Sequence, residues 1–168
     1  IYGTSGYVRF GYSPLWLSYA QGEPHRRPGL RSWPRYHLFP WFQVMERLKG
    51  YQWSLTKISA VNGWSTMFPS YPTTTTGATI AVVDTGVQST HPDLSGRVLA
   101  GANCLTGFCT AGGSEDDNSH GTHVSGIAAA RTNDGIGIAG LALTSPVLPV
   151  KVLNSSGSGS YSSITAGI

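Results

Sequence analysis

Charge is scarce in this chain: Asp, Glu, Lys and Arg together make up 11% of its 168 residues. So little charge, beside 40% apolar residues, excludes a charged disordered tail and supports a packed core. Long apolar runs are missing as well. None approaches the roughly 20 residues that a membrane-spanning helix needs, so no membrane partner is expected. No basic stretch followed by an apolar one is present, so no signal segment is read, and the first residue is Ile1 rather than Met. Cysteine is limited to Cys104 and Cys109. A zinc site would need two further ligands at suitable spacing, and there are none. The pair reads either as a small local disulfide, which would suit an extracellular protein, or as two free thiols.

The charge that is present is uneven. Residues 1–50 hold seven Lys or Arg against Glu23 and Glu46, whereas residues 51–168 hold four against six Asp or Glu. The pI near 9.0 is therefore a property of the first segment and no nucleic-acid footprint for the whole chain. That segment is rich in Trp, Tyr, Arg and Pro, with Pro24, Pro28, Pro34 and Pro40 breaking up any regular element; only Phe39–Leu48 could form a short helix. Aromatic residues interleaved with arginines can bind single-stranded nucleic acid, but no folded module surrounds them, so no nucleic-acid partner is expected. Residues 1–50 are left unassigned, as a pro-segment remnant or translation of a neighbouring stretch.

From Tyr51 the pattern becomes that of a folded domain over 51–168. Trp53–Trp64 reads as a short amphipathic helix, Thr73–Thr76 as a polar linker, and Thr79–Val83 as a strand buried on both faces. Arg97–Asn103 and Pro146–Leu153 are further strands, Gly121–Arg131 is a helix of small residues, and a helix starts at Tyr161. The chain stops as that helix begins, which reads as truncation. Strands alternating with helices give an α/β fold, a three-layer parallel sheet with helices on both faces, incomplete here. Ligands of such sheets bind beyond the carboxyl ends of the strands, where Asp84 lies and where His120 and the Gly157 loop could converge.

The chemistry rests on two phrases. Ile80-Ala-Val-Val-Asp-Thr-Gly86 delivers a carboxylate from a strand into a Gly turn, and Asn118-Ser-His-Gly-Thr-His-Val-Ser-Gly126 places a histidine at the start of a helix. A hydroxyl nucleophile needs a base to take its proton; histidine suits because it titrates near neutrality, and a carboxylate fixes its tautomer. His123, about a turn further on, reads as a packed structural histidine, and Ser125 has no motif support as a nucleophile.

Val82-Val-Asp-Thr-Gly-Val-Gln-Ser-Thr-His-Pro-Asp-Leu94 and His120-Gly-Thr-His-Val-Ser-Gly126 resemble the aspartate and histidine signatures of the subtilisin-like serine proteases, the subtilase family, in a thermitase-like form. Trp53–Trp64, Asn133–Gly140 and Val150–Gly159 resemble further segments of that group, so the likeness covers about residues 51–168, roughly the first half of the family's catalytic domain. The resemblance implies a secreted, monomeric serine endopeptidase acting on polypeptide substrates through an acyl-enzyme intermediate. Asp84 would orient His120, the general base and acid. Gly157, Ser158 and Gly159 would pair with substrate backbone as an added strand, and Tyr161 and Ile164 would line an apolar pocket, unless they are ordinary helix core. A structural calcium is also implied, held by Asp93 and Asp134 with the carbonyls of Arg131, Ile136 and Ile138. Glu115-Asp116-Asp117 reads as a solvated acidic loop or a second, weak calcium site.

The family's nucleophile lies in a Gly-Thr-Ser-x-Ala phrase that this chain does not contain. Gly3-Thr4-Ser5-Gly6 is an echo that Tyr7-Val8-Arg9 does not continue. The family's oxyanion asparagine is likewise expected beyond this chain. The chain alone is therefore expected to be inactive. The rival reading is a non-catalytic binding or interaction module that keeps the first half of the fold. An aspartic protease, from the Asp-Thr-Gly triplet, is disfavoured by the histidine helix and the α/β alternation.

Overall fold

The computed structural model describes residues 7–9, 51–67 and 76–168. The elements run β1 (Tyr7–Arg9), α1 (Trp53–Lys57), α2 (Ala60–Met67), β2 (Ile80–Asp84), β3 (Ala102–Asn103), β4 (Thr110–Ala111), α3 (His120–Ala129), β5 (Val147–Lys151), β6 (Ser158–Ser160) and α4 (Tyr161–Gly167), with a 3-10 turn at Pro92–Leu94. The expected helix at Phe39–Leu48, most of the linker at Thr73–Thr76 and the Gly3–Gly6 echo lie outside the described residues.

One four-stranded sheet carries the fold, in the order β2-β5-β3-β4. β2 and β3 both run parallel to β5, with Ile80 opposite Val147, Asp84 opposite Lys151 and Ala102 opposite Val150; β4 turns back antiparallel on β3. The β-branched run of β2 and the valines of β5 favour this pleated, buried surface. Helix α3 covers one face, where Val82, Val87, Leu94, Ala129 and Val147 form a core. On the other face Val150, Val152, Leu153 and Cys104 pack with Val83, Leu148 and Ile164, the last from α4. Helices on both faces of a mainly parallel sheet give the expected three-layer α/β arrangement. Contrary to expectation, β2 is not buried on both faces along its length. Ala81 is exposed and Val83 half-buried, with α4 covering that face in part.

Two expected elements are broken, each for a local reason. Trp53–Trp64 is two helices, since Ser59 sits in the left-handed region (φ 54°) and breaks the helix between them. The pair is still anchored: Trp64 donates its indole N–H to the Leu141 carbonyl at 2.8 Å, and the Gln52 amide both accepts from and donates to the Ala139 backbone at 2.8 Å. Arg97–Asn103 is no continuous strand. Val98 bridges Val147 and Ala102 pairs with Val150, so four steps on one chain match three on the other, a bulge. Pro149 is the cause. Val147 and Lys151 bond towards this neighbour, through Val147 N–H to the Arg97 carbonyl and Cys104 N–H to the Lys151 carbonyl. Pro149 alternates with them on the same edge and has no N–H to offer.

A second, two-stranded ladder pairs β1 with β6 antiparallel, Val8 opposite Gly159. The first segment, unreadable by sequence, thus contributes a strand to the edge expected to take substrate. Cys104 and Cys109 are joined in a disulfide.

Candidate active site

Asp84 is the last residue of β2 and is 6% exposed. The chain just past β5 holds its backbone in place: the amides of Val152 and Leu153 both donate to its carbonyl, at 2.9 and 3.1 Å. The Thr85 amide donates to its Oδ1 at 2.6 Å. His120 is the first residue of α3. Its Nδ1 lies 2.8 Å from both carboxylate oxygens of Asp84. That contact favours the Nδ1–H tautomer, in which Nε2 carries the lone pair that a base needs.

Close approach of α3 to the β2 loop is possible because glycine faces glycine. A Cβ on Gly121 would lie 2.0 Å from the Gly86 carbonyl oxygen, and Gly86 itself has φ 102°. The small residues after His120 therefore set the distance between histidine and carboxylate. Ser119, immediately before it, takes φ 83°, a strained conformation for a residue with a side chain.

Three contributors went unrecognised in the sequence. Asp116, expected in a solvated acidic loop or a weak calcium site, is engaged by five donors. Its Oδ1 accepts from the Thr85 hydroxyl at 2.8 Å and the amides of Asn118 and Ser119 at 3.0 and 2.9 Å. Its Oδ2 accepts from the amide and hydroxyl of Thr122 at 2.8 and 2.5 Å. Burial pushes its pKa upward, but the hydrogen bonds from Thr122, Thr85 and Asn118 outweigh burial and leave it below the usual 3.8. Thr85 is fully buried and its hydroxyl also accepts the Gly121 amide at 2.9 Å. Lys151 is buried, and its Nζ donates to the carbonyls of Thr85 and Leu153 and to Asp117 Oδ1, the last at 2.6 Å. Glu115 and Asp117 of the acidic triplet are exposed, and Glu115 accepts from the Ser89 amide at 3.2 Å. An Asp shortly before a helix start, able to accept amides two and three residues on, is the signal that could have identified Asp116.

His123 is half-buried on the same helix. Burial lowers its pKa below 6.5, the positive charge available to His120 lowers it further, and Asp84 opposes both. Ser125 is buried and donates back to the Gly121 carbonyl at 2.7 Å. Of the expected Gly157–Gly159, Gly157 (φ 68°) closes a turn through its amide to the Asn154 carbonyl, and β6 begins at Ser158. Tyr161 is 57% exposed at the start of α4, while Ile164 is half-buried against the Val150 core. The structure thus puts the two members of the expected apolar pocket in different surroundings.

The expected calcium ligands surround one loop. Asp93 is 1% exposed; its Oδ2 accepts the Ile138 amide at 2.9 Å and its carbonyl accepts the Arg131 amide at 2.7 Å. Residues 131–138 curl round it through the left-handed Asn133, Gly135 and Gly137. Asp134 lies further out, 3.4 Å from Arg131 Nε, with Oδ1 on the Ile136 amide at 3.0 Å. Among the described residues no three His, Cys, Asp or Glu side chains are grouped to hold a metal. Asp93 is a buried hard-oxygen donor of the kind calcium takes, whereas Asp134 would have to leave its arginine. No helix among the described residues is long and apolar enough to cross a membrane.

Comparison with known proteins agrees with this geometry. The family model described as the subtilase family matches residues 75–168. Thermitase from Thermoactinomyces vulgaris is 44% identical over 117 residues, 70% of this chain and 39% of that protein. A thermophilic serine proteinase from Bacillus sp. (strain AK1) is 48% identical over 92 residues, 55% of this chain and 22% of that protein. Subtilisin Savinase from Lederbergia lenta is 47% identical over 95 residues, 56% of this chain and 33% of that protein. The chain therefore spans well under half the length of these relatives.

Proposed function

The chain belongs to the subtilase family, and from that premise we propose that it is the N-terminal part of a serine endopeptidase catalytic domain, with Asp84 and His120 as two members of its triad. The observation that carries this reading is the 2.8 Å contact between His120 Nδ1 and the buried Asp84 carboxylate. In the complete enzyme His120 Nε2 would take the proton of a serine hydroxyl as it attacks the peptide carbonyl, and return it to the leaving amine. Asp84 would stabilise the imidazolium formed between those steps. The serine and the oxyanion donors are supplied by sequence outside this chain, so the chain by itself hydrolyses nothing through this pair.

Polypeptide substrates would lie along the Ser158–Ser160 edge. β1 already pairs there antiparallel, which supports the capacity of this edge for extended backbone. Tyr161 would contribute an exposed wall beside it. The 131–138 loop would hold calcium through Asp93 and the carbonyls of Arg131, Ile136 and Ile138; the ion would fix the loop, and no chemical step runs through it. The Cys104–Cys109 disulfide supports an extracellular setting for a monomeric enzyme.

The test is a chimera of residues 51–168 joined to the remaining C-terminal part of the thermitase relative, assayed on a chromogenic peptide. Activity is expected, and His120→Ala should lower kcat by about 10⁴-fold or more, a magnitude that comes from subtilisin, a member of this family. A folded chimera that is inert, or whose activity ignores His120→Ala, would leave the binding-module reading in the lead.

A further inference from the structure

We propose that Asp116 is the positioning residue of the Asp84–His120 pair, a single carboxylate that fixes both partners at once. The inference rests on the reading of that pair as catalytic, and its observations are independent of any substrate. Oδ1 takes the Thr85 hydroxyl, and Thr85 in turn gives its amide to Asp84 Oδ1. The same Oδ1 takes the Ser119 amide, and the other oxygen takes both donors of Thr122. Ser119 and Thr122 flank His120 and Gly121 at the start of α3. The carboxylate thus ties the loop after β2 to the first turn of the helix.

Each donor has a second tie that closes the circuit. The Thr85 hydroxyl, its proton spent on Asp116, accepts the Gly121 amide. The Thr122 hydroxyl, its proton likewise spent, accepts the Gln88 amide at 2.9 Å. A single-proton hydroxyl that donates to an anion has its acceptor side directed elsewhere, so the orientation of both hydroxyls follows from the charge on Asp116. The left-handed Ser119, whose chain direction aims His120, is retained because its amide has this acceptor. Helix capping alone would account for the amides of Ser119 and Thr122; it would not account for the Thr85 branch, which leads to the acid rather than the histidine.

That branch makes the two roles separable. Thr85→Val removes the hydroxyl without changing charge or the bonds of Ser119 and Thr122 to Asp116, taking with it only the acceptor of the Gly121 amide, and Thr85→Ser keeps it. Asp116→Asn replaces one acceptor oxygen with a donor that faces other donors. NMR of the chain would follow exchange with water of the proton on His120 Nδ1, alongside amide protection in β2 and β5. We expect that proton to exchange about tenfold faster, or to vanish from the spectrum, in both Thr85→Val and Asp116→Asn. Thr85→Ser should match the parent, and β2 and β5 should stay protected in all three. A parent-like rate in Thr85→Val would overturn the assignment. So would a faster rate that comes only with lost protection of β2 and β5, which is what a merely structural role produces. If Asp116→Asn does not fold, Thr85→Val decides by the same criterion. An inert chimera would leave this result standing, so the two readings fail separately.

Discussion

Gly121→Ala should separate the histidine from its acid by adding a single methyl group. That Cβ would lie 2.0 Å from the Gly86 oxygen and 3.1 Å from its carbon, whereas real Cβ contacts are essentially never under 3.0 Å. Helix α3 and the loop after β2 must therefore part by at least about 1 Å. The Gly86 loop has little room to retreat, because its backbone lies against the carbonyls of Ser114 and Glu115, and the Val87 amide is bonded to the former. A shift of that size stretches the 2.9 Å bond from the Gly121 amide to the Thr85 hydroxyl past useful range. Overpacking costs roughly 1–3 kcal/mol, and a lost buried hydrogen bond costs about 1 kcal/mol more. Urea unfolding should thus show a loss of about 2–4 kcal/mol, with the proton shared by His120 and Asp84 lost from the NMR spectrum. Gly63→Ala is the control: nothing lies within 4 Å of its Cβ in the middle of α2, so it should stabilise by up to about 1 kcal/mol. A Gly121→Ala variant within about 0.5 kcal/mol of the parent, histidine contact intact, would refute the idea that this glycine pair sets the geometry.

Three further outcomes follow from the same contacts. Lys151→Met leaves the Thr85 and Leu153 carbonyls without their ammonium and should cost about 1–3 kcal/mol in chemical unfolding; Asp117→Asn, at a side chain 52% exposed, should cost under about 1 kcal/mol. Acid should weaken the fold in two stages. His123 has a folded pKa below its unfolded 6.5, so its contribution is complete above 6.5 and is lost as pH falls through the folded value; Asp116 behaves likewise below 3.8. A thermal-melt series against pH should show both stages, with His123→Gln flattening the first. Calcium at 100 times its Kd should stabilise the chain by about 2.7 kcal/mol, reversed by chelator and absent in Asp93→Asn; an unshifted melt would remove the ion from the loop.

The sequence made β2 and α3 readable because each carries a strong local pattern: a β-branched run ending in a carboxylate, and a histidine followed by small residues. The acid and the base could be named because each sits at the end of such an element. What escaped depends on partners far along the chain. The break at Ser59 is a backbone choice that Trp53–Trp64 does not advertise, and the bulge at 98–102 is imposed by Pro149, nearly fifty residues away. Asp116 reads as one of three exposed acids until Thr85 and Thr122 are brought to it from opposite sides. Lys151 reads as an ordinary strand cation until burial shows that its charge is spent on the Thr85 carbonyl. Pairing of β1 with β6 joins residues whose side chains announce nothing of the kind.

The parallel register also fixes an order of events. Asp84 comes 36 residues before His120, yet its partner strand β5, and the Val152 and Leu153 amides just past it that pin the Asp84 carbonyl, follow the histidine by a further stretch. Ile80 waits for Val147 and Ala102 for Val150, so the sheet forms by closing long loops around α3 rather than by zipping neighbours. A ribosome releasing this chain in order exposes acid and histidine together well before the scaffold that aims them exists. Until residues 147–153 emerge, Asp84 and His120 have their chemistry but not their alignment.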